Sequence, residues 1–358
     1  MSNPQMNQAD KVAIVGAGRV GSTFAYALAS SGLVRDIVLV DKDAARAEGE
    51  AMDIEHAVPF HRPVAIRAGG FADTAGAVVT VITAGAAQQP GETRPALLQR
   101  NAQIMRPLVE AAVRANPSGL LLVATNPVDA LTFFVLKMSG LPPGRVMGSG
   151  TVLDSARLRA ELSRHYGVDA RNVHAYVLGE HGDSEVVAWS AATLGNVRLL
   201  DYCAMTGMAC GPHEMRAIEE RVRNAAYEII RRKGATNFAI AAALTRIVEA
   251  IVRDEASVLT VSTLLTGEYG IDHVCLSLPA VVGRRGVLRV LPVPLQPDEV
   301  SGIQSSAAAI RTTIEASGMV RAIALRPRDH GADGKQGSCK QEGSGCHGGE
   351  QHAGQRGT

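Results

Sequence analysis

Four short, almost wholly apolar runs, at residues 12–15, 37–40, 78–83 and 120–125, alternate with helix-like segments at 20–31, 44–57 and 97–115. A strand with one wet face alternates apolar and polar side chains, and these runs do not, so both of their faces must be covered. Strands of that kind, separated by helices, form βαβ units in a doubly wound parallel sheet of the Rossmann type. Directly after the first run comes Gly16-Ala17-Gly18-Arg19-Val20-Gly21, the GxGxxG spacing, placed between a strand and a helix as phosphate binding requires. Gly16 permits a tight turn, Gly18 lets a pyrophosphate approach the backbone, and Gly21 lets the helix pack on the strand. The helix N-terminus supplies N–H groups and partial positive charge. Asp41 closes the second run, 20 residues beyond Gly21. A carboxylate there accepts bonds from ribose hydroxyls and repels a 2′-phosphate, which predicts NAD rather than NADP. Turn-making glycines with Asp41 as a helix cap are the bland alternative.

The rhythm changes after Gly148. A helix is expected at 152–166, a strand at 173–178, helices at 215–232 and 238–256, strands at 258–265, 274–282 and 287–290, and a last helix at 297–317. This order suggests a cofactor domain over 1–148 and a mixed α+β substrate domain over 149–320. The remaining stretch, 321–358, reads as a disordered tail, since from Arg328 onward nine glycines and three histidines sit among polar residues. Cys339, Cys346, His347 and His352 lie close together there, but their spacing fits no familiar zinc module, and no metal is expected. A net charge of +1 speaks against a nucleic-acid partner. No apolar run reaches the roughly 18 residues of a membrane span. The polar first ten residues lack a secretory core, and five scattered cysteines suit free thiols, so a cytoplasmic protein is expected.

Catalytic chemistry is suggested by Gly179-Glu180-His181-Gly182-Asp183, which holds a histidine at a turn after a strand. Asp154 and Arg157 stand three apart on a predicted helix and share a face. If that face meets His181, the carboxylate fixes one tautomer and raises the imidazole pKa, while the arginine fork grips a substrate carboxylate. A surface ion pair is the alternative. The stretch from Gly85 to Arg94 is rich in Gly, Pro and polar residues, which suits a lid that carries Arg94 onto substrate and expels water. Thr125-Asn126-Pro127-Val128-Asp129 ends another strand at the same sheet edge, where Asn126 can donate to a substrate oxygen.

Taken in order, GAGRVG, VDKD, AGAAQQPGETR, ATNPVD, GSGTVLDSARLR, GEHGD and KGATNFAI resemble the lactate and malate dehydrogenase family, on its bacterial L-lactate side, from about Lys11 to Ser317. The resemblance implies that His181 is the general acid/base and that Asp154 orients it. It implies that Arg157 binds the substrate carboxylate, that Arg94 polarises the carbonyl with help from Asn126, and that Thr236 lines the pocket. It places NAD against Gly16, Gly18, Val20, Gly21, Asp41, Gly85, Ala86, Thr125, Asn126 and Ser149. Malate enzymes carry an arginine in the lid where Gln88 stands here, so a second substrate carboxylate would stay unpaired, at a cost of several kcal/mol. Pyruvate and lactate are therefore the expected pair, with malate dehydrogenase or a broader 2-ketoacid reductase as alternatives, and a non-catalytic NAD-binding protein as the contrasting class. The family further implies a homo-oligomer, commonly a tetramer. Arg159 points away from the face of Arg157, and with His174 it matches positions that bind fructose 1,6-bisphosphate in many bacterial relatives; a solvated Arg and a strand His are the alternative.

Overall fold

The computed structural model describes residues 10–89 and 91–318; the expected tail, with its Cys and His cluster, lies outside them. The first half runs β1 (Lys11–Val15), α1 (Arg19–Ser31), β2 (Asp36–Val40), α2 (Ala44–Ala57), β3 (Ala65–Ala68), β4 (Val79–Ile82), α3 (Arg94–Ala115), β5 (Leu120–Val123), α4 (Val128–Ser139) and β6 (Val146–Gly148). The second half opens with α5 (Val152–Tyr166). Five short strands follow: β7 (Val173–His174), β8 (Val177–Leu178), β9 (Val186–Val187), β10 (Thr193–Leu194) and β11 (Val197–Arg198). Next come α6 (Leu199–Thr206), α7 (Pro212–Lys233), α8 (Phe238–Val252), β12 (Ser257–Leu259), β13 (Ser262–Thr266), β14 (Asp272–Ser277), β15 (Ala280–Gly283), β16 (Gly286–Val290) and α9 (Pro297–Ala316).

The strands of the first half pair in parallel in the order β3-β2-β1-β4-β5-β6. Val12, Ala13, Ile14, Val79, Val81, Leu122 and Val123 have no exposed surface, because helices cover both faces. The sheet does not stop at the first half. β13 joins β6 antiparallel through Ser262 and Gly148, and β14 extends it to eight strands. Strand order reverses between β1 and β4, so their carboxyl-end loops part there and leave the crevice in which doubly wound sheets bind ligands.

Three expected strands divide. The run 258–265 breaks after Leu259, where the Thr260 carbonyl accepts the Thr151 N–H (3.0 Å), and its halves enter different sheets. The run 274–282 likewise splits into β14 and β15, and 173–178 into β7 and β8. Helix α8 ends at Val252 instead of 256, because Asp254 and Ala256 adopt left-handed backbone (φ +50° and +51°). Helix α3 begins three residues earlier than its apolar pattern suggests. Thr93 caps it through the Ala96 N–H (3.4 Å) and Pro95 favours the first turn, so Arg94 opens the helix instead of riding within the loop.

Candidate active site

The glycine loop after β1 is built by close approach. Gly16 has φ +109°, and a Cβ on it would sit 2.5 Å from the Ala84 nitrogen at the end of β4. A Cβ on Gly21 would overlap the Gly16 carbonyl oxygen, whereas one on Gly18 would meet nothing, so the loop is open where a phosphate would lie. Gly18 precedes α1 without any side-chain cap, which leaves the helix N-terminus to serve a ligand. Asp41 is not a helix cap. That role belongs to Asp43, which accepts the Arg46 N–H (3.1 Å). Asp41 turns back to the glycine loop instead and accepts the Ala17 N–H at 2.6 Å. These features fit a dinucleotide.

The other residues expected at the cofactor surround the same crevice. Val20 is half-buried in the first turn of α1 and packs on the core. Thr125 donates to the Ala84 carbonyl (2.8 Å), and a Cβ on Gly85 would run into its methyl group. Ala86 is held at both backbone groups by the buried Asn101 side chain, which also donates to the Asn126 carbonyl (2.8 Å). The Asn126 side chain is exposed, and the Ser149 N–H reaches the Val123 carbonyl at 2.8 Å.

Helix α5 and the loop after β8 meet as their motifs suggest. His181 Nδ1 lies 2.6 Å from Asp154 Oδ2, and Arg157 Nη1 donates to Asp154 Oδ1 at 2.7 Å. The Asp154 side chain is 2% exposed and that of His181 24%. This is a buried triad, not a surface ion pair. The Asp154 charge, working against burial, raises the His181 pKa to about 9. Burial pushes Asp154 upward, but the charges of His181 and Arg157 outweigh it and hold the carboxyl below its usual range. The imidazole is therefore cationic at neutral pH, with Nδ1–H committed to Asp154.

Arg94 reaches the His181 loop from α3. Its guanidinium donates to Glu180 Oε1 and to Asp183 Oδ2, each at 2.6 Å, and lies over Gly182, where a Cβ would come within 3.1 Å of it. Tyr227 on α7 donates to the other oxygen of Asp183 at 2.9 Å. The lid is fastened to the same helix. Arg100 binds both Glu92 oxygens (3.0 and 2.7 Å) and the Ala87 carbonyl. Gln88 is exposed and donates to the Glu92 carbonyl (2.9 Å), so its amide faces its own loop and not His181. Thr236 is half-buried between α7 and α8, in a loop whose Asn237 donates to Thr23 on α1 (2.9 Å). Arg159 donates to the Ala170 carbonyl (3.0 Å), away from Asp154, and its buried Nε has no partner; His174 is exposed on β7.

Four residues had no role assigned from the sequence. Glu180 and Asp183 flank His181 within its own motif, and their acidity beside an expected cation was the available signal. Asn101 had no local signal, because its partners are 15 and 25 residues away. Glu185 is buried, and burial followed by the nearby Asp154 charge raises its pKa to about 8. Its charge acts on His181 in the same direction as that of Asp154, but less strongly.

A glycine crevice leading to a cationic imidazole, with arginines on two sides, serves hydride exchange between a nicotinamide and a carbonyl. The class is a nicotinamide-dependent dehydrogenase. Residues 10–148 match the family model for the lactate/malate dehydrogenase NAD binding domain, and residues 151–319 that for its alpha/beta C-terminal domain. The chain belongs to the lactate/malate dehydrogenase family. It is 50% identical over 306 residues to the L-lactate dehydrogenase of Thermoanaerobacter pseudethanolicus, covering 86% of this chain and 98% of that one. With L-lactate dehydrogenase 1 of Clostridium acetobutylicum the identity is 45% over 310 residues, covering 87% and 99%. A lactate dehydrogenase from a Medee basin deep-sea metagenome library superposes with TM-score 0.84 at 44% identity, over 87% of this chain and 100% of that one. The ligand-bound minor L-lactate dehydrogenase of Enterococcus mundtii gives 0.83 at 38% identity, over 86% and 98%.

Proposed function

We propose that the protein is an NAD-dependent L-lactate dehydrogenase that interconverts pyruvate and (S)-lactate, with residues 1–148 serving the cofactor and 149–320 the substrate. The observation that carries this reading is the His181–Asp154–Arg157 triad, buried at the edge of a dinucleotide crevice. Bound NADH supplies the hydride to C2 of pyruvate. Negative charge then grows on the ketone oxygen, and we assign His181 Nε2–H and the Arg94 guanidinium to receive it. His181 passes its proton to that oxygen, completing the alcohol, while Asp154 keeps the ring in one tautomer and orientation. Arg157 binds the substrate carboxylate through donors that Asp154 does not use. Asn126 donates to the same ketone oxygen, and Thr236 and Gln88 close the methyl side. Gly16, Gly18, Val20, Gly21, Asp41, Gly85, Ala86, Thr125, Asn126 and Ser149 are the residues that would hold NAD.

The neutral Gln88 favours pyruvate over oxaloacetate, because its amide offers no charge to a second carboxylate. Comparing kcat/KM for pyruvate, oxaloacetate and longer 2-ketoacids tests this directly, and faster turnover of oxaloacetate overturns it. Free thiols at Cys203, Cys210 and Cys275 support a cytoplasmic location. Among the described residues no helix is long and apolar enough to cross a membrane. The family supports a homo-oligomer, with a tetramer as our assignment. The unpartnered Arg159 Nε favours an anion site with His174, for which fructose 1,6-bisphosphate is the candidate effector. Titrating it at low pyruvate should raise the rate in the native protein and not in Arg159→Ala; an unchanged saturation curve removes the effector.

A further inference from the structure

The buried carboxylate of Asp129 lies behind the catalytic loop and takes no part in the steps above. It stands in the first turn of α4, in the segment that also carries Asn126, and is 2% exposed. One oxygen accepts the His181 backbone N–H at 2.8 Å, and the other accepts the Ser277 hydroxyl of β14 at 3.3 Å. The Asp129 charge acts on His181 in the same direction as that of Asp154. We propose that Asp129 is a positioning residue for the reaction: it fixes the His181 backbone from the α4 side and places a second anion behind the imidazolium, sharing with Asp154 the support of its positive charge.

The surroundings suit that role. The groups facing the carboxylate are His181 and Glu180 from the loop after β8, Ser262 on β13, and Ser277 and Cys275 on β14. His181 is the only cation among them; Lys137, on α4 itself, acts on Cys275. A buried carboxylate with a single cationic neighbour depends on that neighbour for compensation, and the dependence is mutual. Burial raises the Asp129 pKa to about 6, against the pull of the His181 N–H and of the His181 charge. The carboxyl is thus ionised at neutral pH and neutral below about 6. Asp129 also joins the Asn126 segment to the His181 loop, so one residue sets the relation between two groups that meet the same substrate oxygen.

This inference rests on the proposed role of His181, and its test reads the imidazole itself. Asp129→Asn keeps the size of the side chain and an oxygen acceptor for the His181 N–H but removes the charge. In protein labelled with ¹³C at histidine, the His181 titration should move to lower pH by roughly half a unit to one unit, and the alkaline limb of kcat/KM for pyruvate should move with it. Well above the limb, reduction then slows about three- to tenfold, and below about pH 6 variant and native protein coincide. Should Asp129→Asn fail to fold, Asp129→Ser makes the same comparison with a smaller acceptor. A His181 titration identical in variant and native protein overturns the inference, as does a loss of activity that follows melting temperature alone with the pH profile in place. Absence of 2-ketoacid reduction by the native protein overturns the proposed function instead, and the ¹³C titration still decides the role of Asp129.

Discussion

Replacing Asp154 by Asn removes the charge that most strongly sets the His181 proton. In the native fold this carboxylate is 2% exposed, 2.6 Å from Nδ1, and the imidazole pKa stands at about 9 against an ordinary 6.5. The difference favours the imidazolium by about 3 kcal/mol. Without the charge, burial opposes the cation and only the smaller pulls of Asp129 and Glu185 remain, so the pKa falls toward the ordinary value. Reduction needs the protonated ring, so its rate is constant below this pKa and falls above it. Native kcat/KM for pyruvate should hold to about pH 9, whereas that of Asp154→Asn should decline from about 6.5 and be about tenfold lower in the mildly alkaline range from protonation alone. Stability follows the same linkage. A raised histidine pKa contributes stability that is complete below the unfolded value near 6.5 and lost as pH rises through about 9. Denaturant midpoints measured across that window should therefore decline more steeply in the native protein than in the variant, where buried Glu185 still costs stability up to about pH 8. A variant whose alkaline limb remains near 9 would refute the assignment of Asp154 as the source of the shift.

Three further substitutions probe the cofactor crevice and the lid. Gly21→Ala places a Cβ against the Gly16 carbonyl and should cost about 1–3 kcal/mol of folding stability with loss of NADH binding, read by thermal melting and fluorescence titration; a native-like affinity would count against the close packing. Asp41→Ala frees the Ala17 N–H and removes the anion proposed to receive the ribose hydroxyls. NADH should bind about tenfold more weakly and the preference over NADPH should shrink, which paired titrations with both cofactors measure. Gln88→Arg should raise the ratio of kcat/KM for oxaloacetate to that for pyruvate by about tenfold or more, and an unmoved ratio would take Gln88 out of substrate selection.

The first half of the fold was legible because its signals are local. Apolar runs without alternation and the spacing of Gly16, Gly18 and Gly21 ahead of a helix are read within one turn or strand, even though Gly16 also answers to Ala84 at the end of β4. The second half was misread where tertiary contacts decide. The apolar run 258–265 looks continuous, yet the Thr151 N–H draws out the Thr260 carbonyl and sends the two halves to different sheets. Among site residues, the spacing of Asp154 and Arg157 predicted a shared face, and their meeting with His181 needed only that the two motifs converge. Glu180 and Asp183 were overlooked because their value lies in holding Arg94, a partner 86 and 89 residues away. Gln88 is read in its lid position by comparison alone, since here its amide binds the Glu92 carbonyl.

In the proposed reaction His181 gives a proton to the ketone oxygen of pyruvate as C2 receives the hydride of NADH. Its most direct measurement is single-turnover reduction of pyruvate by 4-deuterated NADH, set beside the same reaction in His181→Asn. Native protein should form (S)-lactate carrying deuterium at C2, faster than the hydroxy acid from oxaloacetate. The variant should still bind NADH but reduce pyruvate slower by about a hundredfold or more. Undiminished turnover in His181→Asn, or faster reduction of oxaloacetate by the native protein, would contradict it.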